Sequence, residues 1–182
     1  MKARIQEYAK RLKLSWIREH YHEVNETDPE TFLLKLFENE IQQRDERRIN
    51  LLLKTATLPN ITGKPFDWQD VQLSQGLDQS TLLEGKFIEK KENMIFYGGV
   101  GVGKTYLSTL IGLNAIQNHG KRVKFYTIAT LVNQLLDAHE KGSLNRLFKQ
   151  IEKLDLLILD ELGYVPLHKQ GAELLFQVIS LC

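Results

Sequence analysis

The sequence predicts an α/β fold with a parallel sheet, preceded by a small all-helical region, and three observations carry that prediction. A glycine-rich loop, Gly98-Gly-Val-Gly-Val-Gly103-Lys104-Thr105, stands between a short apolar run and a helical pattern. Three short apolar runs, Met94–Tyr97, Val123–Tyr126 and Leu156–Leu159, alternate with segments of helical periodicity, the order of a doubly wound sheet. Residues 1–57 show helical periodicity alone.

Taken in order, residues 4–22 place Ile5, Tyr8, Leu12 and Ile17 among charges at helical spacing, and Leu33, Leu36, Phe37, Ile41 and Ile49 do so in a second segment. Two amphipathic helices are expected. Asn25-Glu-Thr-Asp-Pro29 divides them, with Asp28 as N-cap and Pro29 at the first helical position of the second. Leu58-Pro-Asn-Ile-Thr-Gly-Lys-Pro65 breaks both periodicities, so the expected boundaries are a helical domain over 1–57, a linker over 58–70 and an α/β domain over 71–182.

Within that last domain, Met94–Tyr97 is the first expected strand, and a helix follows the loop from Lys104 to about Asn118. His119-Gly120 supplies a stop with glycine at the usual C-terminal position. Val123–Tyr126 is the second strand, and Thr127 or Thr130 caps a helix with Leu131, Leu135 and Leu136 on its apolar face. Gly142-Ser143 separates it from a short helix carrying Leu147, Phe148 and Ile151. Leu156–Leu159 is too continuously apolar to have a solvent face, which suits a parallel strand covered on both sides. A last helix runs from Gln170 to the terminus.

The composition is that of an ordinary globular chain: 182 residues, 42% hydrophobic and 26% charged. A net charge of +1 gives no whole-chain field toward nucleic acid, so affinity for DNA requires a local patch. A single cysteine, Cys182, excludes an internal disulfide or a zinc cluster built by one chain and fits a reducing cytoplasm. No apolar run approaches the length of a membrane span, and Met1-Lys-Ala-Arg-Ile-Gln-Glu7 lacks the apolar core of a signal peptide.

The glycine-rich loop matches the phosphate-binding pattern G-x-x-x-x-G-K-[ST] without a mismatch. Glycines let successive backbone N–H groups curl around phosphate oxygens, and the helix that follows adds its unbonded N–H groups and positive dipole end. The residues expected to bind nucleotide are Gly98, Gly99, Val100, Gly101, Val102, Gly103, Lys104, Thr105 and Tyr106. Lys104 would reach the β- and γ-phosphates as a catalytic charge, and the Thr105 hydroxyl would ligate Mg²⁺. Some fifty residues on, the third strand ends in Asp160-Glu161, where α/β folds bind ligands. Asp160 would hold Mg²⁺, directly or through water, and Glu161 would orient the attacking water as the second catalytic group.

Other features have ordinary readings beside functional ones. Arg44, Arg47 and Arg48, with Lys54 beyond, are candidate phosphate contacts, although Asp45 and Glu46 interleave and Glu40–Arg44 is an i,i+4 pair of a solvated helix face. Lys121 and Arg122 mark a polar turn. His20 and His22 do not share a helical face and read as surface residues. Phe66 and Trp68 either cover the adenine edge of a nucleotide or pack in the core.

Gly101-Val-Gly-Lys-Thr105, Leu156-Leu-Ile-Leu-Asp-Glu-Leu-Gly-Tyr-Val-Pro166 and Gly171-Ala-Glu-Leu-Leu-Phe-Gln-Val-Ile179 closely resemble the IstB-like helper ATPases of insertion sequences. Those proteins are similar to DnaC-like helicase loaders within the AAA+ class of P-loop NTPases. The helical run Phe37-Glu-Asn-Glu-Ile-Gln-Gln-Arg-Asp-Glu-Arg-Arg48 resembles the same family, and coverage extends from about residue 10 to residue 180. The resemblance implies ATP and Mg²⁺ as cofactors, Mg²⁺-dependent ATP hydrolysis in full-length relatives and self-oligomerisation. It also implies binding to double-stranded DNA with little sequence preference, and a partner transposase. Tyr106 departs from the histidine common at that position. The family pattern continues past the Gly171–Ile179 helix into a sensor strand, an arginine finger and a final strand, whereas this sequence ends at Cys182. The expectation is a truncated product or fragment, with Met94–Tyr97 deprived of neighbours on both sides and turnover left open. The alternatives are a helicase-loader-type ATPase in replication, a small-molecule kinase, or a non-hydrolysing interaction remnant.

Overall fold

A computed structural model of the chain describes residues 1–61, 66–69, 71–163 and 166–181. The chain divides into two compact units, Met1–Leu51 and Leu52–Cys182. The expected linker at 58–70 falls partly outside the described residues, at 62–65 and 70, as do Tyr164, Val165 and Cys182.

The first unit is helical. It contains α1 (Lys2–Arg11), α2 (Ser15–His20), a 3-10 turn at Tyr21–Glu23, and most of α3 (Pro29–Ala56). The single helix expected over 4–22 is therefore two. Lys13 sits in the left-handed region (φ +57°) and the Leu14 N–H donates to Ala9 O at 2.8 Å, which closes α1 at Arg11. α3 begins as expected, with Pro29 its first residue and the Asp28 carboxylate accepting from the Thr31 N–H at 2.8 Å and the Thr31 hydroxyl at 2.6 Å.

The core of this unit is small: Ala9, Ile17 and Leu36, with Leu14, Trp16, Tyr21, Val24 and Phe32 packed around them. The apolar face expected on α3 is buried at Leu36 alone, while Leu33, Phe37 and Ile41 are exposed. A polar residue takes the central place instead. Glu40, 3% exposed, accepts from the N–H groups of Ser15, Trp16 and Ile17 at 3.1, 2.8 and 3.2 Å and from Arg44 Nε at 2.9 Å. It thus caps α2 from a distant helix, satisfying donors that the short helix leaves open. Burial alone would push this carboxyl up, but the hydrogen bonds from Ile17, Arg44, Trp16 and Ser15 outweigh it and hold Glu40 below the usual carboxylate range.

The second unit holds α4 (Gln79–Glu84), α5 (Lys86–Glu89), α6 (Lys104–His119), β1 (Val123–Thr127), α7 (Ile128–Glu140), α8 (Leu144–Ile151), β2 (Leu156–Asp160) and α9 (Lys169–Leu181). β1 and β2 pair in parallel, Val123 opposite Leu156 and Thr127 opposite Asp160, joined through α7 and α8. A parallel pair connected by helices is the α/β arrangement the sequence predicts. β2 is covered on both faces: Leu156 and Ile158 lie toward α6, and Leu157 and Leu159 against the cluster of α7 and α9. α6 lies close to the sheet because residue 112 is glycine, where a Cβ would stand 3.0 Å from Ile158 Cδ1 and 3.0 Å from Leu58 Cδ2.

Several local expectations hold here. Thr127, rather than Thr130, caps α7 by accepting from the Thr130 N–H at 3.2 Å, and Gly120 (φ +58°) ends α6. Arg122 forms more than a polar turn, because its guanidinium and N–H both bond Asp155, tying together the starts of β1 and β2. The far edge of β1 is blunted by the Thr57 hydroxyl, which donates to Phe125 O at 2.9 Å, and by Lys124 Nζ, which donates to Thr55 O at 2.8 Å.

The first expected strand is not one. Among the described residues, Met94–Tyr97 belongs to no ladder, although its side chains keep a strand's alternation, Met94 and Phe96 half-buried and Ile95 and Tyr97 exposed by 82% and 91%. A strand is defined by a hydrogen-bonded neighbour, and this segment has none among the described residues.

Candidate nucleotide-binding site

The loop from Gly98 to Gly103 leads straight into α6, whose N-cap is Gly103. No side chain caps that end, so the first N–H groups and the positive end of α6 face an exposed loop, the arrangement that binds anions. Gly103 has φ +88°, and a Cβ there would lie 2.9 Å from Phe66 Cε2. The loop can turn at this position only because the residue has no side chain.

Lys104, the first residue of α6, curls its side chain back over the loop. Its Nζ donates to Gly98 O at 2.9 Å and Gly99 O at 2.6 Å. The ammonium therefore stands over the loop that its sequence pattern assigns to phosphate. Thr105 Oγ1 donates to Asp160 Oδ2 at 2.7 Å, across 55 residues of sequence. This bond joins the first turn of α6 to the C-terminal end of β2 and brings two hard oxygen donors together beside the anion-binding end of the helix. Mg²⁺ takes one or two protein oxygens and completes its shell with phosphates and water, so this pair fits it. Among the described residues no group of three or more His, Cys, Asp and Glu side chains forms a larger metal cage.

Glu161 follows β2, is exposed, and has φ +62°, a left-handed backbone uncommon outside glycine. Its neighbour Asp160 is half-buried. The sheet end thus presents one carboxylate engaged with Thr105 and one free to turn. Val100 and Val102 are exposed by 84% and 58% on the outside of the loop.

Tyr106 lies in the first turn of α6, directly after the loop. Its ring stacks on Phe66 at 5.7 Å between centroids and 17° between planes, and Phe66 meets Trp68 edge-on at 4.9 Å. Phe66 and Trp68 also pack on the cluster of Leu82, Phe87, Leu107 and Ile111 beneath α6. Both aromatics are half-buried against that cluster, and Phe66 also backs the loop at Gly103. Sequence reasoning missed the stacking of Phe66 on Tyr106. The available signal was an aromatic one residue past the loop threonine together with an aromatic pair two apart.

Of the candidate phosphate contacts on α3, Arg44 and Arg47 are bound up within the first unit. Arg44 pairs with Glu40 and donates to Lys13 O at 2.6 Å, and Arg47 donates to Ser15 Oγ at 2.7 Å. His20 bonds Glu23 at 2.8 Å as a surface residue. Among the described residues no helix is long and apolar enough to cross a membrane.

Comparison with known proteins points one way. The sequence pattern of the family described as IstB-like ATP binding protein matches residues 10–181. A protein of Geobacillus stearothermophilus, named as the ATP-binding protein of insertion sequence IS5376, is 37% identical, over 99% of this chain and 74% of its own length. Its counterpart named for IS21 in Pseudomonas aeruginosa is 33% identical, over 82% of this chain and 56% of its own length. One named for IS232 in Bacillus thuringiensis subsp. berliner is 33% identical, over 93% of this chain and 70% of its own length.

Proposed function

Because the chain belongs to the IstB-like ATP-binding protein family, we propose that it binds ATP with Mg²⁺ and serves as a DNA-binding helper of an insertion-sequence transposase. The observation that carries the nucleotide reading is the convergence of Lys104, Thr105 and Asp160 at the N-terminus of α6, with Thr105 and Asp160 at 2.7 Å.

In this reading the N–H groups of Gly101, Gly103, Lys104 and Thr105 take phosphate oxygens, and Lys104 exchanges its two carbonyl partners for the β- and γ-phosphates. Thr105 Oγ1 and Asp160 supply the oxygens that hold Mg²⁺, which when bound offsets the charge on the phosphates. Glu161, exposed beside Asp160, orients a water toward the γ-phosphate for hydrolysis. Tyr106 and Phe66 hold the loop from behind through their stack. The expected domain assignment, a helical DNA- and partner-binding region ahead of the ATPase region, belongs to this proposal, as do double-stranded DNA, the transposase and self-association as partners.

The test is thermal unfolding with and without MgATP. Ligand at a hundred times its dissociation constant adds about 2.7 kcal/mol to stability. The expected result is an upward shift in the wild type that Lys104→Ala abolishes. An undiminished shift in that variant overturns the site assignment.

A further inference from the structure

The charge of this chain is unevenly spread. Lys2, Arg4, Lys10, Arg11 and Lys13 face a single acid, Glu7, within the first thirteen residues. The chain as a whole is +1, so the net +4 of this segment leaves the other 169 residues at −3. A basic segment on a chain otherwise slightly acidic is the local patch that affinity for a polyanion requires.

The structure makes that patch available. Apart from Ala9, every residue of α1 is exposed, as are Leu12 and Lys13 after it. Among the described residues, the charged heads of Lys2, Lys10, Arg11 and Lys13 have no hydrogen-bond or ion-pair partner, and Glu7 has none either. Arg4 lies over the Tyr8 ring at 5.7 Å and donates to its hydroxyl at 3.1 Å, which leaves its charge uncompensated. The arginines of α3 differ: Arg44 is neutralised by Glu40, and both Arg44 and Arg47 spend donors on the turn between α1 and α2. The bond from Arg44 to Lys13 O fixes the position of Lys13 at the end of α1, whereas Arg47 reaches only Ser15.

We propose that α1 is the surface of the first unit that binds the phosphate backbone of double-stranded DNA. This rests on the reading of the chain as a DNA-binding helper. Arg4 and Arg11 are two turns apart on one side of the helix, about 10.5 Å at 1.5 Å per residue, the axial rise of about three phosphates of one strand. Ala9, the residue of α1 that is buried, faces the other way. The cations surround the helix rather than forming a donor set for base edges, so the contacts position the protein without reading sequence. A lipid surface is the other polyanion such a helix could meet. Met1, Ile5, Tyr8 and Leu12 are the large apolar side chains exposed there, which is little area to hold a helix at a membrane.

The experiment uses the whole chain with MgATP and a mixed-sequence duplex, followed by fluorescence anisotropy across a series of salt concentrations. The test variant is Lys2→Gln/Lys10→Gln/Arg11→Gln/Lys13→Gln, whose changes are all on exposed side chains, and Arg47→Gln is the control. Each phosphate contact removed lowers the slope of log affinity against log salt by about 0.9. The expected result for the test variant is at least tenfold weaker binding and a slope reduced by about 3, with the MgATP thermal shift unchanged and the slope of Arg47→Gln that of the wild type. Unchanged affinity and slope in the test variant overturn the inference and leave the DNA-binding reading standing. A wild type that shows the MgATP shift but binds no duplex overturns both. Capture on phosphatidylserine vesicles without duplex binding overturns it in favour of a membrane.

Discussion

The two units of this molecule are held by different forces. In Met1–Leu51 the centre is a carboxylate, Glu40, gathering three backbone N–H groups and an arginine beside a cluster of three buried apolar residues. In Leu52–Cys182 the centre is apolar: Ile128, Leu131, Leu135 and Val178 are exposed by no more than 2%, and a second cluster lies beneath α6. Burial of hydrocarbon has no titrating group and no strict geometry, whereas a capping carboxylate has both. The first unit should therefore be the one that responds to acid and to single polar changes, and the second the one that responds to lost volume.

The largest expected effect tests the apolar side of that contrast. Leu135→Ala removes a fully buried side chain, and the transfer and cavity terms together cost roughly 3–4 kcal/mol. Chemical denaturation should register it as a lowered midpoint for the transition that MgATP stabilises. Glu40→Ala should cost less, about 2–3 kcal/mol, because three N–H groups of α2 and a guanidinium lose their acceptor. Hydrogen exchange should show the loss in the amides of Ser15, Trp16 and Ile17, with α6 and α7 unaffected. Equal loosening of both units would erase the distinction.

The smallest effect is the dependence on pH. Burial alone would raise the Glu40 carboxyl, but hydrogen bonds from Ile17, Arg44, Trp16 and Ser15 outweigh it and hold the group below its ordinary value of 4.5. A depressed carboxyl pKa means that the folded unit binds fewer protons than the unfolded chain. Its stabilising contribution is then complete above about pH 4.5 and lost as pH falls through the lower folded value. Protection of the α2 amides should decline over that window in the wild type and not in Glu40→Gln, whose protection is lower but flat.

The same contrast governs what was legible in the sequence. The second unit could be read almost element by element, because apolar runs, a glycine stop at Gly120 and a threonine cap at Thr127 are local signals with local causes. Asp28-Pro29 was legible for the same reason. The first unit was misread where its structure is set from afar. The break at Lys13 and the cap of α2 depend on Glu40 and Arg44, some thirty residues away, and Glu40 looked like one more surface charge in an i,i+4 pair. Leu33, Phe37 and Ile41 kept a helical stripe without being buried by it. Met94–Tyr97 has the composition of a strand, and the expectation that it lacks neighbours on both sides holds among the described residues.

At the site, the identity of the loop residues was written in the pattern, while their side-chain arrangement was not. Thr105 and Asp160 were assigned separately to one metal, and the structure joins them by a hydrogen bond. The motif places Tyr106 beside the nucleotide, and what it does not reveal is that the ring stacks on Phe66.

The two carbonyls that hold Lys104 make the loop its own competitor. In the proposed reading, an incoming triphosphate contends with acceptors tethered to the same chain and therefore present at a fixed effective concentration. The affinity measured in solution is then the intrinsic affinity scaled by the fraction of molecules in which the ammonium has let go. In the proposed reading, a small change in the acceptor strength of those two carbonyls would alter nucleotide affinity.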